Sequence, residues 1–508
     1  MSSDAAAQCV HEGTGPRVVY RPRSPKDAVL HRIVREHLET FLQEVSSRAG
    51  GHPLPAFVER EFRDFISCGS LARGFARFRC ESCAFEHLVP FSCKGRAVCS
   101  SCTGRRMNER AADLVDHVLG GLPIRQYVLT VPHRLRYLMA FDHRLCRAVL
   151  AVFNRALLGM LRRRAKESGV PDPRSGTVTA IQRCGSALDV NLHFHTLAPD
   201  GVFDANGEAD AFHPLPPPTD NEITRLLTTV RLRVLRLLRR RGLLPGEDAA
   251  APADPAADIA PTLVGLTAAV ARGRVATGRR AGQRLRRIGA DPDAPWIPHD
   301  GPRHAHEDGF DLHANISVHE RDRAGLERLA RYILRPPVAQ NRLRLRDDGL
   351  VVLELPRTWS DGTTHILFEP GEFLERLATV IPRPRINLII YSGVFAGHAS
   401  GREAAVARAA EPAGRSHQPP APPDDEEEAK EPRRRHHRWA DLMRRAFDCD
   451  VLRCPQCPGR LRFIATIESP EAIRRILTHL GLPAAVPRPL PARAPPGDTD
   501  DLFQEFPA

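Results

Sequence analysis

Three groups of residues in this sequence have types and spacings that could do chemistry. Cys80-x-x-Cys83 and Cys99-x-x-Cys102 are separated by fifteen residues, a spacing that lets two tight knuckles converge four thiolates on one tetrahedral ion. These four are expected to hold one structural zinc. Cys68 and Cys93 fall in or beside the same block and read either as core thiols or as spare ligands, while Cys449, Cys454 and Cys457, near His436 and His437, leave a second zinc open in the tail. His193 and His195 stand two apart in Leu188–Leu197 (LDVNLHFHTL). On a strand such residues share a face, so both imidazoles project together and Phe194 points the other way; the pair reads either as chelators of one divalent cation or as two surface or core-rim histidines. Gln182 and His313 are candidate third ligands. Tyr332 is one of five tyrosines and is flanked by Arg328, Arg331 and Arg335, so its phenol shares a partly cationic face on which a phosphate could rest. A free phenol, with a pKa of about 10, is a poor nucleophile until a metal or an arginine stabilises the anion and the charge developing on phosphorus. On chemistry alone Tyr332 reads equally as nucleophile or as packing residue.

The elements that must position these residues follow from periodicity. Residues 27–45 repeat apolar positions at helical spacing, and a second short helix runs from Phe57 to Phe65, ahead of the cysteine block from Cys68 to Cys102. A mostly helical stretch, 111–165, is interrupted by a short strand closed by Pro132. Gly176–Gln182 and Leu188–Leu197 read as a hairpin. Residues 205–222 and 245–262 are rich in Pro, Ala and Asp and read as linkers around an arginine-lined helix, Glu222 to Arg241. Then come a strand (Gly309–Val318), a helix (Arg321–Leu334) stopped by Pro336-Pro337, two strands (Leu350–Leu355, Thr364–Phe368), a helix (Gly371–Val380) and a strand (Ile386–Tyr391). This mixed order predicts an α+β fold. The prolines between Arg402 and Arg435 and the acidic run Asp424 to Glu428 predict a disordered linker.

Composition bounds the partners. At 508 residues the chain can bury several cores, and 73 lysines and arginines against 61 acidic residues leave a net charge of +12, which favours a polyanion. Arg231–Arg241 and Arg272–Arg287 are expected to be arginine helices that bind DNA; Arg279 and Arg280 lie among the seven arginines of the second run. No apolar window is long enough to cross a membrane and the first 30 residues carry no signal-peptide core, so no membrane partner and a cytosolic location are expected. Twelve cysteines in such a compartment read as metal ligands before disulfides.

The ordered set of a zinc ribbon, Gln182-Arg183, Leu188–Leu197, Asp200-Gly-Val-Phe203, Leu312-His-Ala314, Arg331–Pro337 and Trp359–His365 resembles the HUH-type rolling-circle transposases of the insertion-sequence-91 family, including their common-region relatives. The likeness runs from about Val29 to Val394, with a weaker echo in the tail. It implies a helical and zinc-ribbon DNA-binding domain (25–110), an HUH catalytic domain (111–400) with an insertion at about 205–300, a linker (401–436) and a small tail module (437–508). It also implies that His193 and His195 bind Mg(II) or Mn(II), and that Tyr332 attacks single-stranded transposon ends to give a 5′-phosphotyrosine, with no nucleotide cofactor. Arg328, Arg331 and Arg335 would contact the nucleic acid, in a bacterial protein associated with the nucleoid. Some members use two tyrosines one helical turn apart; here Arg328 and Pro336 occupy those positions, which implies one tyrosine acting sequentially. The competing readings are a non-catalytic zinc-ribbon DNA binder and a metal-dependent hydrolytic nuclease that needs no tyrosine.

Overall fold

The computed structural model describes residues 8–11, 18–21, 28–204, 212–244, 260–291, 293–294, 301–410 and 439–493. In chain order the elements that matter for the site are α1 (Val29–Arg48), α2 (Ala56–Ile66), β1 (Phe75–Cys80), β2 (Glu86–Pro90), α3 (Ser100–Leu114), β3 (Ile124–Thr130), α4 (His143–Glu167), β4 (Gly176–Cys184), β5 (Val190–Pro199) and α5 (Asp220–Arg240). They are followed by β6 (His304–Glu307), β7 (Phe310–His313), α6 (Arg323–Ile333), β8 (Ile389–Gly393), α7 (Trp439–Phe447), β9 (Leu461–Ile467) and α8 (Pro470–His479). The architecture is α+β.

The main sheet has the order β6-β7-β3-β5-β4-β8, with Ser317–Val318 also pairing β3, and every pairing is antiparallel. The strand expected over Gly309–Val318 is thus two short pieces on one neighbour. The centre of the sheet is the β4–β5 hairpin, whose alternation sorts side chains onto two covered faces. Phe194, Leu192 and Ile181 join the core formed with α4 and α5, whereas Val178, Ala180 and Leu197 join the core that includes Leu326, Leu329, Ala330 and Ile333 of α6. Arg125 of β3 is buried and forks onto Asp200 at 2.7 and 2.8 Å while donating to the Ala314 carbonyl at 2.9 Å. That bidentate pair fixes the β3–β5 ladder against the chain entering from β7.

Two expectations fail for local reasons. Arg272–Arg287 is not a helix: Gly273, Gly278 and Gly282 adopt φ of 68°, 69° and 83°, which breaks the run into turns before the strand Arg286–Ile288. The expected linker begins late, because Arg402–Ala410 (REAAVARAA) is helical, built from strong helix formers that precede the first proline. Residues 411–438, with His436 and His437, lie outside the described residues, as do parts of the two expected linkers flanking α5. Among the described residues no helix is long and apolar enough to cross a membrane.

The tail does not form a sheet of its own. Its strand β9 pairs antiparallel with β1, from Leu461 opposite Cys80 to Ile467 opposite Phe75, giving a three-stranded sheet β9-β1-β2.

Candidate active site

β5 is hydrogen-bonded on both sides, to β3 and β4, so the histidines it carries start from a rigid position. His193 and His195 are buried on the face opposite Phe194, with ring centroids 4.9 Å apart. The Nδ1 of His193 lies 2.8 Å from the Asn191 carbonyl oxygen; donating there leaves Nε2 with its lone pair. The Nδ1 of His195 lies 2.6 Å from the Gln126 amide nitrogen, while His195 Nε2 and Gln126 Oε1 are both buried without a hydrogen-bond partner. Which end of an amide is oxygen is an assignment made from the hydrogen-bond network. With the Gln126 amide turned over, Oε1 accepts from Nδ1–H, its own orphaned state ends, and His195 Nε2 becomes a free lone pair beside that of His193. This is the arrangement in which metal-binding imidazoles are held, so the donor set fits a divalent ion. Burial, with help from His193 and Arg335, lowers His195 to about 2, and burial also lowers His193. Both rings are therefore in the neutral, ligand-competent form near neutral pH.

Tyr332 comes from across the helix–sheet contact. α6 starts at Asp322, whose side chain accepts from the Gly325 amide, and ends at Ile333 before Pro336-Pro337. Leu326, Leu329, Ala330 and Ile333 recur at i, i+3, i+4 and i+7 and bury one face on the sheet, at about 2 kcal/mol for each large side chain. That docking leaves Tyr332 49% exposed, with its ring 5.8 Å from the His195 ring and perpendicular to it. The Arg335 guanidinium lies 4.2 Å from the centre of the phenol ring. Gln182 is in register with His193 and donates its amide N–H to the Ile333 carbonyl at 2.8 Å; it ties β4 to the end of α6 and leaves only its Oε1 for an ion. His313 is not in this group. It sits on β7, two strands from β5, a displacement of about 10 Å, with its ring beside His304.

Of the arginines expected to bind nucleic acid, Arg335 alone is against the phenol. Arg328 faces Asp322 at 3.8 Å and Arg331 pairs with Glu327 one turn away. Arg279 is exposed. Arg280 is spent internally: it donates to Glu372 at 2.6 Å and to the Arg284 carbonyl, with its side chain only 15% exposed.

The cysteines regroup. Cys80, Cys83, Cys99 and Cys102 do not converge on one ion; Cys68, Cys93, Cys99 and Cys102 form one cluster and Cys80, Cys83, Cys454 and Cys457 another. The cause is the β1–β2 hairpin. Cys68 and Cys93 flank its open end and join Cys99 and Cys102 at the start of α3, whereas Cys80 and Cys83 sit at its closed tip, a six-residue strand, or roughly 20 Å, away. In the first cluster the Cys68–Cys102, Cys99–Cys68 and Cys93–Cys102 sulfurs are 3.8, 3.6 and 3.5 Å apart. A tetrahedron with Zn–S bonds of 2.3 Å has edges of about 3.8 Å, so both the donor set and the spacing fit zinc. Cys449 is buried and belongs to neither cluster.

Residues 33–131 match a family model described as "Transposase zinc-binding domain", of the insertion-sequence-91 type, and residues 176–403 match one described as "Putative transposase". Both matches are to transposase models, and the amino-terminal one is of the insertion-sequence-91 type. No curated protein and no solved structure matches it. The transposase model takes in the β4–β5 hairpin with both histidines and α6 with Tyr332; the zinc-domain model takes in the whole first cluster but only Cys80 and Cys83 of the second. A match to transposases implies DNA binding.

The transposase has a groove suited to that partner. Tyr332 lines a cavity of about 990 Å³ whose walls include residues of α3 and of the end of α6. Among the described residues, seven arginines and no acidic residue line it. Arg106 and Arg110 come from α3 and Arg96 from the loop before it, with Arg335, Arg342 and Arg357 on the other side. Burial lowers the pKa of Arg96 and Arg342, and both are fixed by backbone carbonyls: Arg96 by Arg383 and Ile386, Arg342 by Glu354 and Ser186. Tyr332, Trp359 and Tyr391 add aromatic faces. Fixed cations interleaved with aromatic rings are a surface on which nucleic acid can lie. Sequence reasoning found Arg335 but missed Gln126, whose strand carried no motif, and Arg110, Arg342 and Arg357 of this groove, which are scattered singly along the chain.

Proposed function

We propose that the transposase nicks and rejoins single-stranded DNA at transposon ends by tyrosine transesterification, in a rolling-circle type of transposition. The observation that supports this most is the Tyr332 phenol standing beside the paired imidazoles and in the lining of a groove whose described charged residues are all arginines. A Mg(II) or Mn(II) ion held by the Nε2 atoms of His193 and His195 would polarise the scissile phosphate. The Tyr332 hydroxyl oxygen attacks phosphorus, the bond to the 3′ oxygen breaks, and that oxygen leaves as a protonated 3′-hydroxyl. The strand is then held as a 5′-phosphotyrosine. One phosphodiester has been exchanged for another, so the reverse attack by a 3′-hydroxyl rejoins DNA without ATP. Arg335 supplies positive charge beside the phenol, where an electrostatic partner counts most in the transition state. One nucleophile used sequentially accounts for Arg328 and Pro336 standing a turn either side.

The test is incubation with Mn(II) and a labelled single-stranded oligonucleotide carrying the element's end, followed by a denaturing gel. A covalent protein–DNA adduct is expected. Cleavage without an adduct would instead mean a hydrolytic nuclease, and retention without cleavage a DNA binder. His193→Ala is expected to abolish cleavage while retention on a native gel persists; loss of both would assign His193 to folding. Gln126→Ala is expected to weaken Mn(II) affinity by about 10- to 100-fold through the unsupported His195 ring, and Gln126→Glu, which keeps an acceptor for Nδ1–H, to restore it. Equal Mn(II) titrations for wild type and Gln126→Ala would remove Gln126 from the site.

A further inference from the structure

The second cysteine cluster joins two parts of the chain that are 371 residues apart between Cys83 and Cys454. Cys80 ends β1 and Cys83 lies in the turn that follows, where the Cys80 amide donates to the Phe85 carbonyl at 2.7 Å. Cys454 and Cys457 lie in a matching turn ahead of β9, closed by the Cys454 amide on the Gly459 carbonyl and the Leu461 amide on the Leu452 carbonyl. Because Leu461 of β9 is in register with Cys80, the two turns come out of the sheet side by side.

Their sulfurs are placed for an ion and not for disulfides. Cys80 and Cys457 are 3.4 Å apart, Cys83 and Cys454 are 3.6 Å apart, and the four Sγ atoms all lie within 4.8 Å of one another. A disulfide needs about 2.05 Å. Backbone amides are turned onto the sulfurs, Ser82 onto Cys80 and Gln456 onto Cys454 at 3.4 Å and Gly459 onto Cys457 at 3.3 Å, as they are when a thiolate takes charge-assisted hydrogen bonds. Gly459 must lack a side chain, since a Cβ there would stand 2.5 Å from Ser82 Oγ and 3.1 Å from Cys80 Sγ.

Apart from Leu442, Met443 and Cys449, the buried apolar residues of the tail fall in two small clusters. One cluster has Cys80, Cys454 and Leu461 as its buried members, and the other has Phe75, Ile473 and Leu477. Cores of this size need a staple. The tail also reaches the site: Arg445 of α7 donates to Asp116 and, at 2.8 Å, to Glu327 on α6, five positions before Tyr332. Those two carboxylates hold the Arg445 charge against the burial that opposes it.

We propose that Cys80, Cys83, Cys454 and Cys457 form a second structural zinc site that fastens the tail to the amino-terminal hairpin and keeps Arg445 on the helix that bears Tyr332. The site lies outside the groove and its role does not depend on transesterification. Zinc per full-length chain, measured by atomic emission, is expected to be two for wild type and one for the double variant Cys454→Ser, Cys457→Ser. Wild type at one, or the double variant at two, overturns the proposal. For the fastening, a protease site is placed among residues 411–438 of the full chain and cut. Because Cys449 is disulfide-bonded, elution is run with a reductant that does not chelate zinc; the wild-type tail is then expected to co-elute with the body and the double-variant tail to separate, while the variant's single remaining zinc reports that the first cluster and its domain are intact. A tail that stays bound in the double variant overturns the fastening. Should the double variant lose both ions, Cys457→His decides in its place: a three-cysteine, one-histidine set is expected to keep two zinc ions and the tail, and loss of the tail with two ions retained overturns the proposal.

Discussion

Tyr332→Phe is expected to abolish the covalent protein–DNA adduct and to lower cleavage at the transposon end by at least about 10³-fold, the scale on which removal of a nucleophile acts. The substitution deletes one oxygen and little else. The ring can keep its perpendicular contact with His195 and the Arg335 guanidinium above it, and the helix is docked by Leu326, Leu329, Ala330 and Ile333, not by Tyr332. Stability should therefore change by no more than about 0.5 kcal/mol, and oligonucleotide retention in the arginine groove should be preserved. Denaturing gels for the adduct and thermal melting for the fold measure the two sides of this expectation. If the phenylalanine protein cleaves at the wild-type rate, Tyr332 is a groove-lining aromatic and the hydrolytic reading replaces transesterification.

Cys99→Ser is expected to have the largest effect on stability. Cys99 is buried at the start of α3, and its cluster shares a core with Phe62, Phe65, Ile66 and Val98. Zinc bound by such sites contributes apparent free energies of about 10–16 kcal/mol in small zinc domains, comparable to the whole stability of a typical domain. The variant should lose the first zinc and lower the melting temperature of the region around residues 33–131. Because α3 carries Arg106 and Arg110 into the groove, DNA retention should fall with it, an effect that Tyr332→Phe does not share. Full zinc content with an unchanged melting point would mean that these thiols are only core side chains.

The parts of this molecule legible in its sequence are those set by local periodicity. Alternation in Leu188–Leu197 placed Phe194 opposite the two histidines, and the apolar rhythm of residues 326–333 gave α6 its buried face before Pro336-Pro337 stopped it. Illegible were relations decided by long-range pairing. Two CxxC pairs fifteen residues apart read as one site because distance along the chain stood in for distance in space, and nothing local reveals that β1 puts six residues of strand between them or that β9 arrives from beyond residue 460. Eight cysteines falling into two sets of four, with a lone CxxC in the tail, were the available signal. Arg272–Arg287 misled for a related reason: its glycines at 273, 278 and 282 are compatible with helix in a charge count but take positive φ in the fold. Gln126 is silent in sequence, since a buried glutamine matters only once its strand lies against His195.

In the sheet β9-β1-β2 the central strand is β1, and the strand on one of its flanks is made long after it. Leu461 leaves the ribosome 381 residues after Cys80, its partner in register, a wait of roughly 20–80 s at ordinary rates of translation. Through that interval one edge of β1 has no neighbour from its own chain, and exposed strand edges recruit whatever strand is nearby. A truncated product that ends before residue 461 keeps that edge for good. Frameshifted or nonsense copies of the gene should accordingly yield sticky, insoluble polypeptides, even though they encode the histidines, the tyrosine and the groove intact.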